Sequence, residues 1–236
     1  MQHKTIEYFD GSTCLEGYLA YDENQTLPRP GILVVHDWSG LNEHVKERAD
    51  RLAKSGYVAL AVDMFGDAKV GETNEEKMAL ISPFLENRKT VVSRMQAAIE
   101  ALKQQKQVNP NQLASLGFCF GGMCSLDAAR GGCDLKAVIS FHGDLSEADF
   151  ETVSPIKTKL LALHGHDDPM IPPENVLAFE KEMDAAQAEW QLHIYSGVQH
   201  AFTNKLAHDY KLGTVYNELA DKRSWISCCN FLEEVF

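Results

Sequence analysis

Cys119 lies in Gly117-Phe118-Cys119-Phe120-Gly121-Gly122, between an apolar run, Leu113-Ala114-Ser115-Leu116, and a helix-like segment from Met123 to Arg130. A cysteine at a strand–turn–helix junction of this kind is placed for nucleophilic attack. The turn is tight enough that the residues two before and two after the nucleophile must be small, and Gly117 and Gly121 fill those places. The start of the next helix offers free backbone N–H groups and a positive dipole end, which favour a thiolate. The N–H of Phe120, one residue on, becomes a donor to an oxyanion. A small buried cysteine in a Gly-rich turn has the same local sequence, so its partners decide the chemistry.

In open α/β sheets chemistry gathers beyond the C-terminal ends of the strands, and two segments there carry acid and base. His164-Gly165-His166-Asp167-Asp168-Pro169 follows the apolar run Lys159 to Leu163, and Ser196-Gly197-Val198-Gln199-His200-Ala201-Phe202 follows Gln191 to Tyr195. The chain order nucleophile, acid, histidine resembles that of α/β-hydrolases. His200 would accept the thiol proton, and an aspartate would fix its tautomer and stabilise the imidazolium. Asp168, in an Asp-Pro turn, is the expected acid, with Asp167 its rival. The histidines and aspartates of 164–168 do not predict a metal site, because consecutive strand-end residues diverge and no further His/Cys cluster has ligand spacing.

A third strand end is Val35-His36-Asp37-Trp38-Ser39-Gly40. Its backbone is expected to supply the second oxyanion donor, from Trp38 N–H, with the indole walling an acyl pocket that Phe202 also lines. Asp37 must be paired, solvated or protonated there. It serves either as a structural hydrogen-bonding group or as a second control over the thiol.

These segments need a sheet to hold them. Thr5 to Phe9 and Cys14 to Tyr21 alternate as a hairpin turning at Asp10-Gly11. Gly31 to Val35 and Tyr57 to Val62 read as strands buried on both faces, separated by an amphipathic helix, Glu43 to Lys54. Further helices are expected over Lys77 to Leu85, interrupted near Pro83, then Thr90 to Lys103, Asn175 to Ala186 and Asp221 to Val235, with a strand over Ala137 to Phe141. Alternating strands and helices predict an α/β fold: a three-layer sandwich with a mostly parallel central sheet and an N-terminal hairpin, as one domain over 1–236.

Composition limits the partners. The 236 residues are 44% hydrophobic, enough for a full core. Their 22 Lys and Arg against 34 Asp and Glu give a formal charge of -12, which disfavours nucleic acid and anionic membrane and leaves small molecules. No stretch approaches the roughly 18 apolar residues of a spanning helix, and Met1 to Glu7 lacks a signal-peptide core, so a cytoplasmic protein is expected. Six cysteines without zinc spacing or scaffold density predict reduced thiols.

The Gly-x-Cys-x-Gly-Gly elbow, the Gly165-x-x-Asp168-Pro169 turn and His200-Ala201-Phe202 together resemble the dienelactone hydrolase family, over nearly the whole span from Gly31 to Phe236. The resemblance implies an α/β-hydrolase fold with a Cys119–His200–Asp168 triad. It also implies cleavage of a small ester or lactone through an acyl-thiol intermediate, without a cofactor, by a monomer or small homo-oligomer. Two positions depart from dienelactone-active members: Asp37 stands where they carry a glutamate against the thiol, and Asn204 where they carry a substrate-binding arginine. Arg88, Arg94 and Arg223 are expected to be solvated helix residues. The run Asp221-Lys222-Arg223-Ser224-Trp225 looks like a feature of bacterial homologues whose substrate is unassigned.

Overall fold

The computed structural model describes all 236 residues. An eight-stranded sheet runs through it in the order β1-β2-β4-β3-β5-β6-β7-β8. The strands are β1 (Gln2–Asp10), β2 (Thr13–Tyr21), β3 (Arg29–Val35), β4 (Val58–Val62), β5 (Val108–Phe118), β6 (Ala137–Phe141), β7 (Lys159–Gly165) and β8 (Trp190–Tyr195). The β1–β2 hairpin pairs Asp10 with Thr13 across its turn and joins β4 antiparallel, while the remaining pairings in this sheet are parallel. The expected hairpin and parallel sheet are therefore present.

Period-two alternation along the central strands builds two cores. Leu33, Val35, Leu60 and Val62 face one, against α2 (Asn74–Glu86), α3 (Lys89–Lys103), α4 (Phe120–Arg130) and α5 (Pro173–Ala185). Ile32, Val34, Ala59 and Ala61 face the other, against α1 (Glu43–Lys54) and α6 (Glu218–Val235). Both faces of the sheet are covered, which gives the three layers. No helix is long and apolar enough to cross a membrane.

Two local expectations change. The helix expected from Lys77 begins at Asn74, because Thr73 and Glu76 form a reciprocal capping box, worth about 1 kcal/mol. It also runs through Pro83 to Glu86 without interruption. Proline removes one N–H, but the orphaned carbonyl belongs to exposed Ala79 and can take water, while buried Ile81 and Phe84 anchor the helix on either side. A small ribbon of β9 (His208–Asp209) and β10 (Thr214–Val215) was not expected; two-residue strands carry no alternation to read.

β3 lies between β4 and β5, so the connection from β3 leaves on one side and the chain returns on the other. The crevice at this switch point opens beyond Val35 and Phe118, which brings the segments after β3 and β5 together.

Candidate active site

Cys119 joins β5 to α4 with φ 52° and ψ −116°, a region that costs a non-glycine residue about 1–3 kcal/mol. Neighbours hold it there. Its N–H donates to Phe141 O at 3.0 Å, and its carbonyl accepts from Gly122 N at 2.9 Å and Met123 N at 3.2 Å. The glycines permit the approach: a Cβ on Gly117 would overlap the Gly121 carbonyl, and one on Gly121 would overlap the carbonyls of Val35 and His36. A Cβ on Gly122 would lie 2.6 Å from Ser140 Oγ.

The partly exposed sulfur meets a histidine from the far end of the chain. His200 Nε2 lies 3.0 Å from Cys119 Sγ, and His200 Nδ1 lies 2.7 Å from Asp168 Oδ2. The other carboxylate oxygen, Asp168 Oδ1, accepts from Met170 N at 2.9 Å, which fixes the acid. His200 and Asp168 are each 3% exposed. Burial opposes charge on His200, yet the Cys119 sulfur and the Asp168 carboxylate outweigh it and push its pKa up to about 10. Asp167 is exposed and takes no part in this row.

Two backbone donors face the same end of the sheet. The N–H of Trp38 meets no acceptor within the protein, and the first-turn N–H of Phe120 has no partner inside its helix. Trp38 is half-buried, with Lys77 Nζ 5.5 Å from its ring centroid. Asp37 Oδ1 accepts from Ser39 N at 2.8 Å, closing the turn that carries Trp38, and its carboxylate makes no hydrogen bond to the sulfur. Burial holds His36 below its ordinary pKa; it donates from Nδ1 to Asp37 O at 2.6 Å and accepts at Nε2 from Met64 N at 3.2 Å. The ends of β3 and β4 are thereby tied together beneath the crevice.

Other sequence-named residues lie elsewhere. Phe202 is fully buried against His142 and Tyr195, so it belongs to the core and does not line an open pocket. Its ring packs edge-on against both, at 4.9 Å from His142 and 5.7 Å from Tyr195, one residue after Ala201, which has φ 57°. Arg88 and Arg94 are also not solvated. Arg88 grips Asp127 with two bonds of 2.7 Å, and Arg94 reaches Asp10 at 3.0 Å and the Met64 carbonyl. Arg223 is exposed, as expected. Asn204 Oδ1 caps its own turn by accepting from Leu206 N. All six cysteines are free, with Cys124 buried in the core. No group of three or more His, Cys, Asp or Glu converges as metal ligands would.

Sequence reasoning missed His142 and Thr203. His142 follows β6 directly, at the same kind of strand-end position that exposed the other candidates. It is buried, with φ 41°, its ring edge-on to His200 at 5.2 Å between centroids and Nε2 2.8 Å from Thr203 Oγ1. A hollow of about 770 Å³ between β1 and α3 shares no residue with this centre. A smaller one, about 220 Å³, adjoins it: its lining includes Asp167 and Gln199, next in sequence to Asp168 and His200, and Val215, whose N–H donates to the His200 carbonyl at 2.9 Å.

Comparison with known proteins identifies the family. The dienelactone hydrolase family profile matches residues 15–236. A protein of Bradyrhizobium sp named "Probable 2-oxo-3-(5-oxofuran-2-ylidene)propanoate lactonase" is 31% identical over 93% of this chain and 90% of its own length. Protein usf of Aquifex pyrophilus is 27% identical over 97% of each chain. A crystal structure described as the dienelactone hydrolase-like promiscuous phosphotriesterase P91, from metagenomic libraries, superposes with a TM-score of 0.96. It shares 37% identity and covers 100% of this chain and 98% of that one. The chain belongs to the dienelactone hydrolase family, with the α/β-hydrolase fold, and is a hydrolase acting on ester or lactone bonds.

Proposed function

We propose that this protein hydrolyses small esters or lactones through a Cys119–His200–Asp168 triad and an acyl-thiol intermediate. The observation that carries the reading is the hydrogen-bonded row from Cys119 Sγ through His200 to Asp168, 3.0 and 2.7 Å long, set on a strained elbow. Each contact has a chemical use. With Nδ1–H held by Asp168, the Nε2 of His200 is free to take the thiol proton, leaving a thiolate beside an imidazolium.

The thiolate then adds to the ester carbonyl, forming a C–S bond and moving the C=O electron pair onto oxygen. The N–H groups of Phe120 and Trp38 receive that oxyanion; donors fixed in advance cost no reorganisation as the charge develops. As the C–O bond breaks, His200 gives its proton to the departing alkoxide, which in a lactone stays attached to the acyl group. In the second half His200 removes a proton from water, the hydroxide adds to the thioester carbon, and the C–S bond breaks to restore the thiolate.

The charge of the chain agrees with a small substrate, and the mechanism needs no cofactor. Trp38, half-buried beyond β3 with Lys77 Nζ 5.5 Å from its ring centroid, is the candidate wall for the acyl group. The likeness to P91 favours a second substrate class on the same sulfur. Attack on a phosphotriester would form an S–P bond, expel an alkoxide or aryloxide protonated by His200, and release the phosphodiester when water cleaves S–P.

Acid quenching during turnover of p-nitrophenyl acetate, followed by mass spectrometry, tests the covalent step. An acetyl group on Cys119 is expected in the native protein and not in Cys119→Ala. An unmodified Cys119 under rapid turnover, in a quench that preserves thioesters, would overturn the acyl-thiol reading.

A further inference from the structure

We propose that Arg48, Asp221, Thr203 and His142 form a brace that positions the His200 imidazole, joining α1, α6 and the end of β6 to the loop that carries it. This rests on the triad reading above. Arg48 Nη2 donates to Asp221 Oδ1 at 2.8 Å and to the Thr203 carbonyl at 2.9 Å. Thr203 Oγ1 lies 2.8 Å from His142 Nε2, and the His142 ring stands edge-on against His200. Thr203 therefore takes the ion pair on its carbonyl and the histidine on its hydroxyl, three residues after His200.

The same guanidinium reaches the nucleophile's strand. It lies 5.6 Å from the ring centroid of Phe118, the residue before Cys119, and 5.3 Å from that of Trp225. His44, whose Nε2 accepts from Arg48 Nε at 3.3 Å, sets its ring 4.9 Å from that of Phe118, tilted by 60°. One buried cation thus contacts both chain segments that must meet at the sulfur. The Asp221-to-Trp225 run acquires a use: Asp221 orients Arg48, and Trp225 covers it.

A purely structural role explains this set poorly. Arg48 and Asp221 are 4% and 6% exposed, and a buried ion pair stabilises no better than packed apolar residues of the same volume. Arg48 Nη1 and His142 Nδ1 are buried with no partner at all, a cost that folding alone would avoid. His142 adds a left-handed backbone. What charged and hydrogen-bonding groups offer over leucines is direction, and here the direction leads to His200. Burial, with His200 and His44 nearby, keeps His142 uncharged, so it backs the imidazolium without repelling it.

The test uses the full-length protein with p-nitrophenyl acetate. The groups facing His200 are Cys119, Asp168, His164 and His142, with His44, Arg48 and Asp221 acting through Thr203. Thr203→Val removes only the hydroxyl that meets His142, and Asp221→Asn removes the charge that orients Arg48. Both variants should lower kcat about tenfold or more, since small misplacements of a catalytic group are costly, with KM nearly unchanged and the pH profile of kcat/KM displaced. Wild-type kcat and pH profile in Thr203→Val overturn the brace, as does a loss of melting temperature with kcat per folded molecule intact. Should Asp221→Asn fail to fold, Thr203→Val alone decides. Cys119→Ala, assayed alongside, separates the two readings. Undiminished turnover there overturns triad and brace together, whereas abolished turnover with an unaffected Thr203→Val overturns the brace alone.

Discussion

Gly117 and Gly121 face each other across the elbow so closely that a Cβ on the first would occupy the carbonyl of the second. The contact is backbone against backbone, so no rotamer change relieves it. Gly117→Ala is expected to destabilise the protein by at least about 1–3 kcal/mol, the usual cost of overpacking, and to lose activity because Cys119 is displaced. Urea denaturation and ester turnover measured on the same preparation check both. An alanine variant with native stability and native turnover would mean that the elbow is looser than its geometry.

Asp168 and Asp167 adjoin in sequence but differ in surroundings: the first is 3% exposed and bonded to His200, the second faces water. Asp168→Asn keeps the shape and removes the charge, and should reduce kcat by about 10⁴-fold, as loss of a triad carboxylate does elsewhere. Asp167→Asn should turn over esters as the wild type does. Steady-state kinetics of the pair discriminates; equal effects would contradict the assignment.

His200 gives the protein a pH-dependent stability of known sign. Its pKa rises from the ordinary 6.5 to about 10 in the folded protein, because Cys119 and Asp168 outweigh the opposing effect of burial. The folded state then holds the proton more tightly, so this contribution is full below about pH 6.5 and is lost as pH climbs toward 10. The urea midpoint of the native protein should fall across that window. His200→Gln should show a smaller fall over the same range.

Arg88 makes a bidentate pair with Asp127, whose side chain is fully buried, and Arg130 bonds the same carboxylate at 3.1 Å. Arg88→Ala leaves that charge undercompensated and should cost about 3–5 kcal/mol, read from the urea midpoint. Turnover per folded molecule should be unchanged, since the Arg88 side chain bonds only Asp127, Ser146 and Glu147. A raised KM without loss of stability would instead make it a substrate-binding residue.

What the sequence disclosed and what it withheld follow from the range of the interactions. The elbow is a local steric problem solved by two glycines around one cysteine, so it can be read from six residues. Strand ends are marked by the sudden arrival of polar residues after an apolar run, which is why Asp37, Asp168 and His200 stood out. Arg88 and Arg94 looked solvated because their partners, Asp127 and Asp10, are 39 and 84 positions away, and nothing local records the pairing. Phe202 was misplaced because one ring it packs against, His142, is distant in sequence. His142 was readable by the strand-end rule, whereas the link from Arg48 to Thr203 spans 155 positions and only the fold creates it. Asp37 had two roles open to it in the sequence; its bond to Ser39 N favours the structural one.

The central claim is that the sulfur of Cys119 is the nucleophile, and the turnover of p-nitrophenyl acetate by Cys119→Ala tests it most directly. Removing one member of a triad disables the whole, so kcat should fall by several orders of magnitude, about 10⁴-fold or more, in a protein whose circular dichroism and melting temperature match the wild type. Hydrolysis by the folded variant at the wild-type rate would contradict the account.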